Sequence, residues 1–314
     1  MGEKAKKIGE KLEGFGERLF EGFGWSEIAR DREISCTKSL HKKRTHGLDL
    51  FLSNLNPYMN LKQGIIVECK NRQMVSITDS EIEKWIKELI NTIECARNSE
   101  ELTDLLIDDV VLNTGILLIH ANDKFNSEKF YKSIKKVFLQ SRRDPINIYI
   151  AGNDEISRWN ALREKIQSTF NGDFKFIYPS INESDQLCDK FISLDYLYSK
   201  YLFAMNTYYV SEIDPRSGST VNIPKLQHIM FSFDDNIVES FKYMWSLFKF
   251  YQMQSADEYI FVFYPKKPED TEFVKENFTA TLKLLDTPIS DEMAKKVKIE
   301  FIDNRTLSPV DTGR

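Results

Sequence analysis

His46-Gly47-Leu48-Asp49-Leu50-Phe51 and Gly64-Ile65-Ile66-Val67-Glu68-Cys69-Lys70 are the two stretches whose reading decides the fold. Both are apolar and strand-like, and the segment between them carries Asn54, Asn56 and Pro57, so they read as two strands joined by a loop. Side chains alternate across a strand. Glu68 and Lys70 therefore share one face, Ile65, Val67 and Cys69 share the other, and Asp49 points away from Leu48 and Leu50. Charges on apolar strands are costly to bury unless they are paired or bind a metal. Two acids and a lysine placed to converge at the end of a two-strand ribbon point to a metal-dependent site; the bland alternative is a solvated hairpin edge.

Working outward, residues 3–23 carry Ala5, Ile8, Leu12, Phe15, Leu19 and Phe23 at helical spacing, one apolar stripe. Gly9 and Gly16 flank the stripe on the side of Glu13, which implies close packing there; Glu13 borders the buried face and Glu17 lies further toward solvent. Glu33–Thr37 reads as a first strand, and the basic turn Lys42-Lys43-Arg44 precedes the Asp49 strand. After Lys70 come Asn71 and Arg72, then a helix with a capping box at Ser80 and Glu83 and an apolar face of Ile82, Trp85, Ile86, Leu89, Ile90 and Ile93. A short helix near 99–107, a buried strand at 115–119, a basic helix capped by Ser127, a strand at 146–151, a helix at 154–169 and a strand at 174–178 follow.

Asp49 followed by Glu68-Cys69-Lys70 resembles the PD-(D/E)XK nucleases, the restriction-endonuclease-like superfamily. Gly47-Leu48-Asp49 with Val67-Glu68-Cys69-Lys70-Asn71-Arg72 is particularly similar to its type IV restriction and Holliday-junction-resolvase branches, although Leu48 stands where the family carries proline. Asp173-Phe174-Lys175 matches the acid-x-lysine element too, but lacks an acid-bearing strand about twenty residues upstream. Gly9-Glu10-Lys11-Leu12-Glu13, ending in Phe23-Gly24-Trp25, is similar to the opening helix of the same branch, from which a glutamate reaches the metal site; the match selects Glu13, with Glu17 in reserve.

The resemblance spans about residues 5–152 and implies an α/β fold with a restriction-endonuclease-like core: helix, three-strand meander, helix, strand. It implies a metal-dependent endonuclease with Glu13, Asp49, Glu68 and Lys70 as its catalytic set. Mg (or Mn) would be held by Asp49, Glu68 and the Cys69 carbonyl, hard oxygen donors suited to a hard cation. Lys70 would orient or help deprotonate the attacking water, and Glu13 would complete the outer shell or bind a second metal. Lys42, Lys43, Arg44, Asn71 and Arg72 are candidates to hold backbone phosphates, of DNA rather than RNA. The alternative is a catalytically idle subunit of the same fold that binds nucleic acid or scaffolds a partner; restriction or anti-phage defence in bacteria is the biological expectation.

The 314 residues, 41% hydrophobic, can hold one large or two ordinary domains and argue against global disorder. The net charge of −5 is uneven: residues 1–80 hold 14 Lys and Arg against 11 Asp and Glu, a net of +3 that leaves −8 for the rest. This argues against a nonspecific nucleic-acid coat and permits a nucleic-acid surface in the first segment. Cys36, Cys69, Cys95 and Cys188 show no knuckle or redox spacing, so neither a disulfide framework nor a structural zinc is expected. No signal peptide or membrane span is read, and a cytoplasmic location is expected.

Beyond residue 180 an aromatic helix is expected over 187–202, then a turn-rich break at 214–219, then alternating strands and helices to residue 302. The expected division is a nuclease domain at 1–180 and an α/β domain at 181–314 that serves oligomerisation, partner docking or target sensing; a homodimer or a partner subunit is expected.

Overall fold

The computed structural model describes residues 2–58, 60–105, 110–139, 144–178, 187–216, 218–265, 267, 270–285, 290–303, 308 and 310, with side chains from residue 9. The chain divides into two compact units, Met1–Asn160 with Thr306–Arg314, and Ala161–Arg305.

In the first unit, helix α1 (Gly2–Glu21) leads into strands β1 (Ser26–Ser35), β2 (Thr45–Asn56) and β3 (Leu61–Arg72), then helices α2 (Asp79–Ala96) and α3 (Glu100–Thr103) and strand β4 (Val111–Ala121). Helix α4 (Ser127–Ile134), strand β5 (Asn147–Ala151) and the start of helix α5 (Asn153–Thr169) complete it. The strands form one mixed sheet in sequence order, with β1–β2 and β2–β3 antiparallel and β3–β4 and β4–β5 parallel. The helix, three-strand meander, helix, strand order is therefore that of the restriction-endonuclease-like core.

Leu12, Phe15, Leu19, Phe20 and Phe23 bury the α1 stripe, each worth about 1.5–3 kcal/mol; Ala5 and Ile8 lie outside the described side chains. The close flank is real at Gly16, where an added Cβ would stand 3.3 Å from Leu118 and 3.5 Å from Leu50, whereas Gly9 meets only Glu13. α1 ends at Gly24 in the left-handed region (φ 82°), and Trp25 turns back to stack on Phe20 at 4.6 Å. That reversal delivers the chain into β1, which begins seven residues earlier than the sequence reading placed it.

α2 covers the other face through Trp85, Ile86, Leu89, Ile90 and Ile93. Two helix starts differ from expectation. Thr78, not Ser80, caps α2 by accepting from the Glu81 amide, and Asn126, not Ser127, caps α4 by accepting from Lys129. In each case the capping residue lies just outside the helix in extended backbone, which is where an N-cap belongs.

The second unit holds a six-stranded sheet in the order β11-β10-β9-β8-β6-β7, built from β6 (Asp173–Tyr178), β7 (Leu187–Asp189), helix α6 (Leu194–Leu197), β8 (Tyr201–Ile213), β9 (Thr220–Ser232), helix α7 (Val238–Phe250), β10 (Glu258–Phe263), helices α8 (Asp270–Lys283) and α9 (Asp291–Lys296), and β11 (Val297–Phe301). The helix expected over 187–202 is not formed; that stretch is a short strand, one turn of helix and the start of β8. Tyr and Phe suit a pleated surface, and pairing of β8 with both β6 and β9 overrides the helical spacing. The junction expected near residue 180 contrasts with a division inside α5.

Gly115 on β4 admits α2: an added Cβ would lie 2.9 Å from both Ile93 and Leu89. Gly115→Val should destabilise the first unit by about 1–3 kcal/mol, measured as a lowered denaturant midpoint with an unchanged slope.

Candidate active site

Asp49, Glu68 and Lys70 come together where β2 and β3 part. The backbone ladder between these strands ends at Leu50–Val67. Beyond it the Cys69 amide donates instead to Asp49 Oδ2, at 2.8 Å. A carboxylate thus takes the place of a backbone carbonyl, which fixes the Asp49 side chain at the open end of the strand pair. One residue away the Lys70 ammonium donates to Glu68 Oε1. Glu68 and Lys70 are only 13% and 15% exposed. They alternate with Val67 and Cys69, so they project toward the side that α2 covers through Ile66.

Negative charge is in excess here. Burial raises the Asp49 carboxyl above its ordinary range against the pull of the Cys69 amide and Lys70. Burial and then the neighbouring Asp49 raise Glu68, again with Lys70 opposing. For Lys70, burial works against the charged form, but Glu68, Asp49 and Glu88 outweigh it and the ammonium is held more firmly than usual. Glu13 on α1 is pushed up to about 7, first by burial and then by Asp49 and Asp31. Asp49 therefore acts electrostatically on Glu13, linking the acids of α1, β2 and β3. Glu17 is engaged elsewhere, with Arg30 Nη1 2.5 Å from its carboxylate. Carboxylates raised by burial and, for Glu68 and Glu13, by Asp49, with one lysine among them, fit a hard divalent cation by donor type and by charge.

Two acids escape the sequence reading. Asp31 lies between the paired positions Arg30–Leu50 and Arg32–Leu48, opposite Asp49, and its backbone is left-handed (φ 46°). Glu88 on α2 faces the Glu68–Lys70 pair and also receives Lys43, whose Nζ lies 3.5 Å away. The Arg30-Asp31-Arg32 run within a strand was the available signal for the first; nothing in the local pattern marked the second.

The predicted phosphate contacts separate. Lys42, Lys43 and Arg44 are exposed, on the turn after a 3-10 segment at Ser39–His41, and Arg72 is exposed at the end of β3. Asn71 is 5% exposed and its Oδ1 sits 3.2 Å from His120 Nδ1, so it belongs to the interior of the sheet and not to a phosphate-binding surface. Cys69 presents its amide to Asp49 while its thiol is buried and raised well above the usual range, first by burial. Cysteine and histidine spacing gave no metal motif, yet Cys36, His41, His46 and Cys95 are gathered into one cluster.

Among the described residues no helix is long and apolar enough to cross a membrane. No curated protein matches the chain. The family model described as "GAPS4 protein PD-(D/E)XK nuclease domain" matches residues 1–155, which include every element of the five-stranded sheet and all the acids just described. With the core topology and the strand-end acids both in place, the first 155 residues of this chain are a PD-(D/E)XK nuclease domain.

Proposed function

We propose that the first unit is a metal-dependent endonuclease that hydrolyses phosphodiester bonds of DNA, in bacterial restriction or anti-phage defence. The observation that carries this reading is the strand-end arrangement: Asp49 tied to the Cys69 amide, and Glu68 beside Lys70. Asp49 and Glu68 would hold Mg (or Mn), with the Cys69 carbonyl as a third oxygen donor. When bound, the cation supplies charge for the phosphate and a more acidic water.

The protein groups have separable tasks. Asp49 and Glu68 would supply the carboxylate oxygens. Lys70, kept charged by its acidic neighbours, orients the attacking water and stabilises charge on the phosphate, a role that suits an ammonium better than proton abstraction does. Glu13 would serve as an outer acid of the site. Lys42, Lys43, Arg44 and Arg72 hold the nucleic-acid backbone beside the site. The second unit is assigned to self-association or docking of a partner subunit. There β8 and β9 pair with each other from Tyr208 to Ile213, past the reach of β6 and β10, and expose Tyr209, Ile213 and Val221.

Incubation of the full chain with plasmid, linear DNA and RNA should give Mg-dependent cleavage of the DNA substrates, abolished by chelator. Asp49→Ala and Lys70→Ala should each lower the rate on the order of 10²-fold or more in protein that is still folded by circular dichroism; full activity in both would remove the site assignment. Glu13→Gln should slow cleavage and raise the Mg requirement, and Glu17→Gln should do neither. A carboxyl raised in the folded state lowers stability as pH climbs, from near the ordinary 4.5 until it is ionised above about 7. Without metal, Glu13→Gln should therefore raise the melting temperature at about pH 8 and leave it nearly unchanged below about pH 4.5. Light scattering on the full chain should give a dimer; a monomer that cuts both strands without a partner would exclude the association role.

A further inference from the structure

We propose that Cys36, His41, His46 and Cys95 form a structural zinc site, separate in chemistry from the acidic centre. One ligand atom from each of the four lies within 4.8 Å of all the others. Cys95 Sγ is 3.8 Å from Cys36 Sγ, and His41 Nδ1 is 3.3 Å from Cys95 Sγ and 3.6 Å from Cys36 Sγ. Zinc bonds of about 2.3 Å to sulfur and about 2.0–2.1 Å to nitrogen set tetrahedral edges of about 3.8 Å between sulfurs and about 3.5 Å between sulfur and nitrogen. The three distances lie near those values.

Burial and second contacts agree with ligation. Cys95 is fully buried and His46 is 3% exposed. His46 Nε2 is buried with no hydrogen-bond partner among the described residues, a costly arrangement for a ring nitrogen. The His41 and His46 rings meet edge to face at 5.4 Å. His41 Nε2 lies 3.2 Å from Glu94 Oε2, so the ring is oriented by a carboxylate on one nitrogen while the other faces both sulfurs. That is how a histidine ligand is normally held. Two thiolates and two imidazoles select zinc, whereas the all-oxygen set around Asp49 selects a hard cation.

The position gives the site a purpose. Cys36, His41 and His46 span the turn from the end of β1 to the start of β2, and Cys95 is in the last turn of α2. Zinc would staple that turn, which carries Lys42, Lys43 and Arg44, to α2, and would fix His46, three residues before Asp49 at the start of β2. Glu101 reinforces the same end of β1 by accepting from the Ser35 amide at 3.0 Å.

Elemental analysis of the full chain, purified without a polyhistidine tag from zinc-supplemented culture, should give about one zinc per chain, retained in Asp49→Ala. Cys36→Ser and Cys95→Ser should lower zinc content about tenfold or more and reduce the melting temperature. Cobalt exchanged into the wild-type chain should show the visible absorption of a tetrahedral thiolate site. Wild-type protein without stoichiometric zinc, zinc unchanged in both cysteine variants, or a Cys36–Cys95 disulfide in non-reduced peptide maps would overturn the site. Because the wild-type content decides the first point, a variant that fails to fold does not protect the proposal, and none of these outcomes depends on whether the chain cleaves DNA.

Discussion

The carboxylate of Asp49 replaces a backbone acceptor at the point where β2 and β3 separate, and the arrangement of the nuclease unit follows from that substitution. A strand amide at a fork must find a partner, since an unpaired buried N–H costs roughly what a lost hydrogen bond does. Supplying the acceptor from a side chain holds a charged group still at the edge of a hydrophobic sheet. Burial then raises Asp49, Glu68 and Glu13 together, so the fold stores electrostatic cost in one place that a cation would relieve.

Helices on opposite faces of the sheet keep this centre in position. α1 approaches through Gly16 onto Leu50 and Leu118, which brings Glu13 within the field of Asp49. α2 approaches through Gly115 and carries Glu88 to the Glu68–Lys70 pair and Cys95 to the turn before β2. The same helix therefore borders two groups of potential metal ligands with opposite donor chemistry. Oxygen donors that stay partly accessible suit a cation that must meet substrate; a closed sulfur and nitrogen set suits one that only holds structure.

The second unit follows a different logic. Its aromatic residues are largely core: Phe241, Phe261, Phe263 and Phe278 pack with ring centroids 4.9–5.5 Å apart. The β8–β9 ribbon departs from this by extending past its neighbours with apolar side chains in solvent.

What the sequence determined on its own is what short-range periodicity controls. Alternation over Glu68 and Lys70, the loop between the two strands and the stripe on α1 mark the strands and the helix, because strand and helix periods act over a few residues; that their order is a nuclease core, and that Glu13 joins Asp49, Glu68 and Lys70, is what the resemblance of the surrounding motifs implies. Tertiary structure decided everything that joins distant segments. Asn71 reads as a surface neighbour of Lys70 but is buried because β4 brings His120 against it. Asp31 faces Asp49 only through the pairing of β1 with β2. Residues 187–202 have helical aromatic spacing, yet pairing with β6 and β9 makes part of them strand. Cys95 lies forty-nine positions after His46, a separation at which no local spacing rule operates, and only the packing of α2 on the sheet brings its sulfur to Cys36 and His41.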